Sequence, residues 1–244
     1  MAMKILIVND DGVFAPGIKP LVAFAKTKGE VTVVAPKNEQ SGKSHAINFT
    51  TPIEIKKIDL FENVETYSMD STPADCVRFG IMGLKKEYDL VLSGINRGVN
   101  LGVDMIYSGT VAAVFEAAYW NHRAIAFSTY PDTKDYAASK LEEVFKFFDE
   151  NHLFDHALTY NVNIPGNSKG IKITKQGSPY FNDGFKNVGE NLFLQTGERI
   201  PDEHPDNLDY DTVAVEKGYI SLTPLTLSRV DEKAYNSLKS ILPR

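Results

Sequence analysis

The chain has 244 residues, a formal net charge of −6, and a composition of 43% hydrophobic and 24% charged residues. This composition is typical of a soluble globular protein with one main domain. The excess of negative charge argues against a surface that binds long nucleic acid, but it is compatible with a small phosphorylated ligand.

The compartment is indicated by three features of the sequence. The single cysteine, Cys76, excludes an intrachain disulfide, and its apolar surroundings predict a core position. The apolar run after Lys4 is too short for the h-region of a signal peptide. No segment approaches the roughly 18 uninterrupted apolar residues of a membrane span. We therefore expect a cytoplasmic protein with no membrane partner.

The first part of the chain alternates strand-like and helix-like segments. Strands are predicted at 4–9 and 30–35, and a helix between Pro16 and Gly29 completes a βαβ unit. A polar loop, NEQSGKSH, then precedes three short predicted strands, AINF, PIEIKKI and VETYSM. A helix begins at Pro73 and leads into a buried strand at 88–94.

The alternation continues to about residue 165. A loop rich in Gly and Asn is followed by the apolar helix VAAVFEAAYW, a strand at 123–129, an amphipathic helix at 135–151 and the strand-like ALTYNVNIP. Repeated βα units predict an α/β fold, Rossmann-like, with a mostly parallel sheet and helices on both faces. We assign residues 1–165 to this Rossmann-like core.

The last third has a different pattern. IKITKQ, NLFLQTG and TVAVEKGYISLTPL read as strands without intervening helices. They predict a β-hairpin-rich arm, which we assign to residues 166–244 together with a C-terminal helix.

The first strand ends in two acids and a glycine, Asp10, Asp11 and Gly12. One interpretation is an ordinary turn, because Asn, Asp and Gly are common turn residues. The other is a metal site. Adjacent carboxylates of a regular strand point to opposite faces, so they can share one ion only if the chain turns between them, and Gly12 makes that turn easier.

Three other polar loops are expected at the same edge of the sheet. In open α/β sheets, ligands bind beyond the carboxyl ends of the parallel strands. The loops after the second and third strands supply Ser41 and Asn96. With Asp10 and Asp11, these side chains make an all-oxygen set suited to Mg²⁺ or Mn²⁺, which favours the metal interpretation.

The fourth loop, Ser108-Gly109-Thr110, opens a helix. The free N–H groups at the start of a helix make a ready phosphate site. A Ser or Thr cap that binds no ligand is equally consistent with the sequence, so both interpretations stay open here.

The sequence resembles the survival protein SurE family of metal-dependent nucleotidases. The resemblance is carried by ILIVNDDG, VVAPKNEQSGKSHAI, STPADCVRFG, YDLVLSGINRGVNLGVDMIYSGTVAAVFEAA and YDTVAVEKGYISLTPL. These stretches cover most of residues 4–129 and 209–225. The match between about 130 and 208 is loose, so base selectivity and the geometry of the arm are not transferred.

The resemblance implies one divalent cation, Mg²⁺ or Mn²⁺, per subunit. The residues implied as its ligands are Asp10, Asp11, Ser41 and Asn96. Those implied at the substrate are Gly42, His45, Asn100, Ser108, Gly109 and Thr110, and those implied in catalysis are Asp10, Asp11 and Asn100. The arm is implied to join subunits into a homodimer or a tetramer.

The implied reaction is hydrolysis of nucleoside 5′- and 3′-monophosphates to nucleoside and phosphate by a phosphomonoesterase of the nucleotidase class. Attack by water is favoured over attack by Asp10, because the pattern of haloacid dehalogenases, in which one residue separates two aspartates, is absent. A short-chain polyphosphatase and a non-catalytic nucleotide sensor are the alternatives. Two carboxylates beside a phosphate argue against a sensor that holds no metal.

Overall fold

The computed structural model describes residues 2–239 and 241. In chain order, its strands are β1 (Met3–Val8), β2 (Gly29–Pro36), β3 (Ile55–Ile58), β4 (Glu65–Met69), β5 (Leu90–Arg97), β6 (Ala124–Thr129), β7 (Thr159–Ile164), β8 (Ile171–Ile173), β9 (Phe181–Gly189), β10 (Leu192–Arg199) and β11 (Ile220–Leu225). Its α-helices are α1 (Ile18–Ala25), α2 (Pro73–Arg78), α3 (Gly109–Tyr119), α4 (Lys134–Glu150), α5 (Asp211–Glu216) and α6 (Glu232–Lys239). A π-helical turn (Phe79–Gly83) and two 3₁₀ turns (Gly102–Tyr107 and Leu153–Asp155) complete the list.

Nine strands form one central sheet, in the order β3-β4-β2-β1-β5-β6-β7-β11-β8. Its neighbours are parallel except for the β3–β4 and β7–β11 pairs. The two remaining strands, β9 and β10, form a separate antiparallel hairpin. The predicted α/β fold, mostly parallel with a hairpin near the C-terminus, is confirmed.

The helices cover both faces of the sheet, as predicted. Helices α1 and α4 pack on one face and α2 and α3 on the other, so the sheet separates two apolar cores. Side chains of β1 alternate between them: Ile5 and Ile7 enter the first core, and Leu6 and Val8 enter the second. Cys76 is fully buried in the second core, as expected from its apolar helix.

Two predicted strands are wrong. AINF is not a strand, because the Oδ1 of Asn48 accepts the backbone N–H groups of Thr50 and Thr51 and holds the chain in a local turn. TVAVEK forms the short helix α5, in which Val213, Ala214 and Val215 are all buried. Tertiary packing overrides the strand preference of valine there.

The central sheet continues past residue 165. Strands β8 and β11 lie in the range that the sequence assigned to the arm, but both belong to the sheet. Within the described residues, the hairpin and α6 are the parts of that range that lie outside the sheet and its covering helices. Met1 of the predicted core, and residues 240 and 242–244 of the predicted arm, lie outside the described part.

Among the residues that the structure describes, no helix has both the length and the apolar character needed to cross a membrane.

Candidate active site at the carboxyl edge of the sheet

A cavity of about 590 Å³ opens at the carboxyl ends of β1 and β5. Four loops meet there, as the topology of a parallel sheet requires. Six of the predicted site residues line it: Asp10, Ser41, Gly42, Asn96, Asn100 and Ser108.

The chain turns directly after β1, and the two acids there border neighbouring cavities. Asp10 lines this cavity, whereas Asp11 lines a second one of about 370 Å³. Asn96 and Arg97 border both cavities and so lie between them. The turn depends on Gly12, whose φ of +103° is strained for any residue with a side chain.

Asp10 is a buried carboxylate with no cationic partner. Its side chain and backbone are only 5% exposed, and its Oδ1 accepts a hydrogen bond of 2.5 Å from the Thr110 hydroxyl. Burial raises the pKa of Asp10 to about 6, the Thr110 hydroxyl opposes that rise, and the charge of Asp11 adds to it. No Lys, Arg or His of the described chain forms a salt bridge with it. Buried charges are normally paired or bound to a metal, so this carboxylate fits a cation ligand.

The other predicted ligands leave oxygen atoms available. The Oδ2 of Asp11 accepts the backbone N–H of Arg97 at 3.0 Å, and burial raises the pKa of Asp11. The Nδ2 of Asn96 donates to the carbonyl of Gly98, which turns its Oδ1 the other way. Ser41 donates to Glu39 at 2.5 Å.

The donor set therefore fits a hard divalent cation, with two carboxylates, an amide oxygen and a hydroxyl. It contains two acids only. Accordingly, the described residues hold no cluster of three or more His, Cys, Asp and Glu side chains arranged for a metal.

Helix α3 begins at the wall of the cavity. The Oγ of Ser108 accepts the N–H of Val111 at 3.1 Å, so Ser108 is a true N-cap. The capped start of this helix borders the cavity, because Ser108 lines the cavity and Gly109 lies against Asp10. A Cβ on Gly109 would stand 2.8 Å from the Cβ of Asp10, so only glycine fits this close approach.

Asn100 is held by side chains from two strands of the sheet. Asn163, fully buried on β7, accepts the N–H of Asn100 at 2.8 Å and donates to its carbonyl at 3.0 Å. Asn161 donates to the same carbonyl, and the Nδ2 of Asn100 donates to Ser128 on β6. The backbone and amide of Asn100 are thus fixed, and its Oδ1 has no hydrogen-bond partner within the described chain.

His45 does not line either cavity near the acids. Its Nε2 lies 2.8 Å from the carboxylate of Glu116, on the α3 helix. Burial works to raise the pKa of Glu116, but hydrogen bonds from His45, Trp120 and Arg78 outweigh it and hold that pKa below its usual value. The pair ties the loop that carries Ser41 to the helix that begins at the cavity.

Several residues at the cavity could not be predicted from the sequence. Its far wall comes from the hairpin and from the 3₁₀ turn before Ser108, and includes Tyr107, Phe181, Asp183 and Gln195. Nothing in the local pattern predicts that the hairpin packs back over the sheet edge. The sequence does indicate a role for Asn161 and Asn163, because two asparagine side chains on one face of a buried strand require hydrogen-bond partners.

The comparisons with known proteins agree with one another. A family model described as survival protein SurE matches residues 5–183. A 5′-nucleotidase SurE of Thermosipho melanesiensis is 38% identical over 248 residues, covering 97% of this chain and 96% of that protein. One from Thermoanaerobacter pseudethanolicus is 39% identical over 249 residues, with 98% of each chain covered. The crystal structure of the SurE protein from Aquifex aeolicus superimposes with a TM-score of 0.79 at 35% identity, covering 98% of this chain and 99% of that one.

Proposed function

The chain belongs to the survival protein SurE family, and from this premise we propose that it is a nucleotidase that hydrolyses nucleoside 5′- and 3′-monophosphates. The observation that carries the proposal is Asp10, a buried carboxylate without a cationic side chain beside it, at the mouth of a capped helix. The names of the relatives, 5′-nucleotidases, support the same activity.

We propose one Mg²⁺ or Mn²⁺ per subunit, held by Asp10, Asp11, Ser41 and Asn96, and a cytoplasmic location. When bound, the cation neutralises charge on the phosphate and lowers the pKa of a coordinated water. Residues of the chain bind the phosphate and orient the attacking water.

The helix start and Asn100 hold the phosphate. In this proposal the positive end of α3, which starts at Gly109 and Thr110, attracts the phosphate oxygens. The Nδ2 of Asn100, which donates one hydrogen to Ser128, has a second hydrogen to donate to them. The guanidinium of Arg97, which forms no salt bridge in the described chain, supplies positive charge nearby. Phosphoryl transfer depends mainly on such positioning and charge stabilisation.

Asp10 orients the attacking water. The oxygen of the water bonds to phosphorus and gives up one of its two protons, the bond from phosphorus to the nucleoside oxygen breaks, and that oxygen takes up one proton in exchange, so that the products are the nucleoside and phosphate. Direct attack by the carboxylate of Asp10, which would give an aspartyl-phosphate, is the alternative that labelled oxygen can distinguish.

Phosphate release is the direct test of this function. We expect release from a panel of 5′- and 3′-monophosphates in the presence of Mg²⁺ or Mn²⁺, and loss of that release when a chelator removes the metal. The reason is that two carboxylates next to a phosphate dianion repel it unless a cation lies between them. Released phosphate is measured for each substrate with each metal and with chelator.

The same panel separates the competing functions. Release from short polyphosphate alone would assign a polyphosphatase. Nucleotide binding without release from any substrate would assign a sensor, and either result contradicts a nucleotidase.

We propose further that the hairpin and α6 join subunits into a homodimer or tetramer. Five large apolar side chains of the hairpin are more than half exposed in the single chain: Phe185, Val188, Leu192, Phe193 and Leu194. The hairpin exposes apolar side chains on both of its faces, since Phe193 and Leu194 are neighbours in β10, and exposed apolar surface of this kind is typical of an interface.

Light scattering tests this assembly. We expect two or four times the mass of one chain, and a shift toward the monomer in Leu194→Asp, because the substitution puts a charge into the apolar surface. Lys19→Asp, on an exposed part of α1, is the matched control and should leave the mass unchanged. A monomeric wild-type protein would contradict the proposal.

A further inference from the structure

The cavity is larger than the phosphate site. Besides the acid and helix-start residues, its lining includes Tyr107 and three residues of the hairpin, Phe181, Asp183 and Gln195. A volume of about 590 Å³ is in the range of pockets that enclose a whole small molecule. The hairpin side of the cavity is therefore available to the sugar and the base of a nucleotide.

One face of the hairpin is directed at this cavity. In the β9–β10 register, Asp183 pairs with Gly197 and Phe185 pairs with Gln195. Paired residues and residues two apart share a face, so Phe181, Asp183 and Gln195 lie on the same one.

The glycine in that face leaves space beside the acid. A Cβ on Gly197 would stand 2.9 Å from the Oδ1 of Asp183. Since no side chain fills this position, the carboxylate of Asp183 lies over Gly197, and Asp183 is exposed. Asp183 also forms no salt bridge with the described residues, so its oxygens are free to accept from a ligand.

The hairpin face is fixed relative to the phosphate end. The Oδ2 of Asp104 accepts the backbone N–H groups of Tyr180 at 2.7 Å and of Phe181 at 2.9 Å. Asp104 belongs to the 3₁₀ turn that leads directly into Ser108. A single carboxylate therefore connects the start of β9 to the start of α3.

The chemistry of this wall matches a flat, hydrogen-bonding ring. Tyr107 is 58% exposed and Phe181 is 43% exposed, so both present ring surface on which a base can stack. A carboxylate is an acceptor only, and it can take two adjacent N–H groups. Guanine presents such a pair, its ring N1–H and its 2-amino group. Adenine presents an acceptor nitrogen beside its amino group, which a carboxylate repels.

We infer that the hairpin end of the cavity is a nucleobase subsite selective for guanine, with Asp183 as the residue that determines specificity. The inference rests on the proposed nucleotidase function and adds to it the class of base. Gln195, which can both donate and accept, contacts the same ring edge.

The test compares kcat/KM for GMP and AMP. The wild-type protein is expected to favour GMP by about tenfold, the effect of one unmatched hydrogen bond. In Asp183→Asn the amide can donate to the ring nitrogen of adenine and accept from its amino group, so the preference should reverse toward AMP. Glu198→Gln, on the opposite face of the same hairpin, should leave the ratio as it is in the wild-type protein.

Two results would overturn the inference: equal kcat/KM for the two nucleotides in the wild-type protein, or an unchanged ratio in Asp183→Asn. If no monophosphate is hydrolysed, the nucleotidase function fails, and the subsite is judged by calorimetric Kd values for GMP and AMP. Tighter binding of GMP that reverses in Asp183→Asn supports the subsite in that case, and equal Kd values exclude it.

Discussion

Replacing Asp10 by asparagine is expected to lower kcat by about 10³-fold while the protein stays folded. Asparagine has the same shape, and its Oδ1 can still accept from the Thr110 hydroxyl. The charge that binds the cation and orients the water is lost. The measurement is kcat with saturating Mg²⁺ or Mn²⁺, together with the shift in Tm that each metal produces.

The stability of this variant follows from the sign of the pKa shift. The folded pKa of Asp10, about 6, lies above its ordinary value of 3.8, so the folded state binds the proton more tightly than the unfolded state. Stability in chelator therefore falls as pH rises through this interval, and the ionised carboxylate costs stability above about pH 6. Asp10→Asn in chelator at pH 7 should be at least as stable as wild type, but it should gain less Tm from metal.

Asp59→Asn is the matched control, because Asp59 is exposed and distant from the cavity in the sheet order. It should leave both kcat and the metal-induced shift unchanged. If Asp10→Asn keeps wild-type activity, the site is assigned to the wrong residues. Labelled oxygen found in a protein carboxyl after a single turnover in labelled water would mean that Asp10 attacks phosphorus directly.

Asn163→Ala is expected to lower kcat by about 10²-fold, although Asn163 does not line the cavity. The substitution removes two of the three side-chain hydrogen bonds to the backbone of Asn100, at 2.8 and 3.0 Å, and leaves only the one from Asn161. Asn100 then loses its fixed position at the phosphate. Leaving buried groups unpaired should also lower the free energy of unfolding by about 1–3 kcal/mol.

Inhibition by inorganic phosphate separates this effect from a general loss of fold. Weaker inhibition with an unchanged metal-induced Tm shift is the expected pattern, because Asn100 is proposed to contact the phosphate and is not among the proposed metal ligands. Asn182→Ala, at an exposed position of the hairpin, is the control. Unchanged kcat and phosphate inhibition in Asn163→Ala would mean that Asn100 needs no such support.

Much of the fold could be predicted because its signals are local. The apolar run of β1 and the helical spacing of α4 are each contained in fewer than 20 residues, and their order sets the parallel sheet. The position of Asp10 and Asn96 at one edge followed from that topology alone, since parallel strands end on the same side.

The rest depends on contacts between distant segments. The partner of His45 is Glu116, which is 71 positions away, and no periodicity in the loop indicates it. The same holds for Asp104, which accepts from Tyr180 across 76 positions and so brings the hairpin to the cavity. Valines in α5 carried a misleading signal, because their helical conformation is imposed by packing and not by intrinsic preference.

The alternation of side chains along β1 has a consequence for local unfolding. A strand that packs Ile5 and Ile7 on one side and Leu6 and Val8 on the other cannot detach without disrupting both apolar cores. Its amide protons therefore exchange with solvent only when the whole domain unfolds, whereas those of the exposed hairpin exchange through small openings. We therefore expect slower amide exchange in β1, which leads into Asp10, than in β10, which contributes Gln195 to the wall of the cavity.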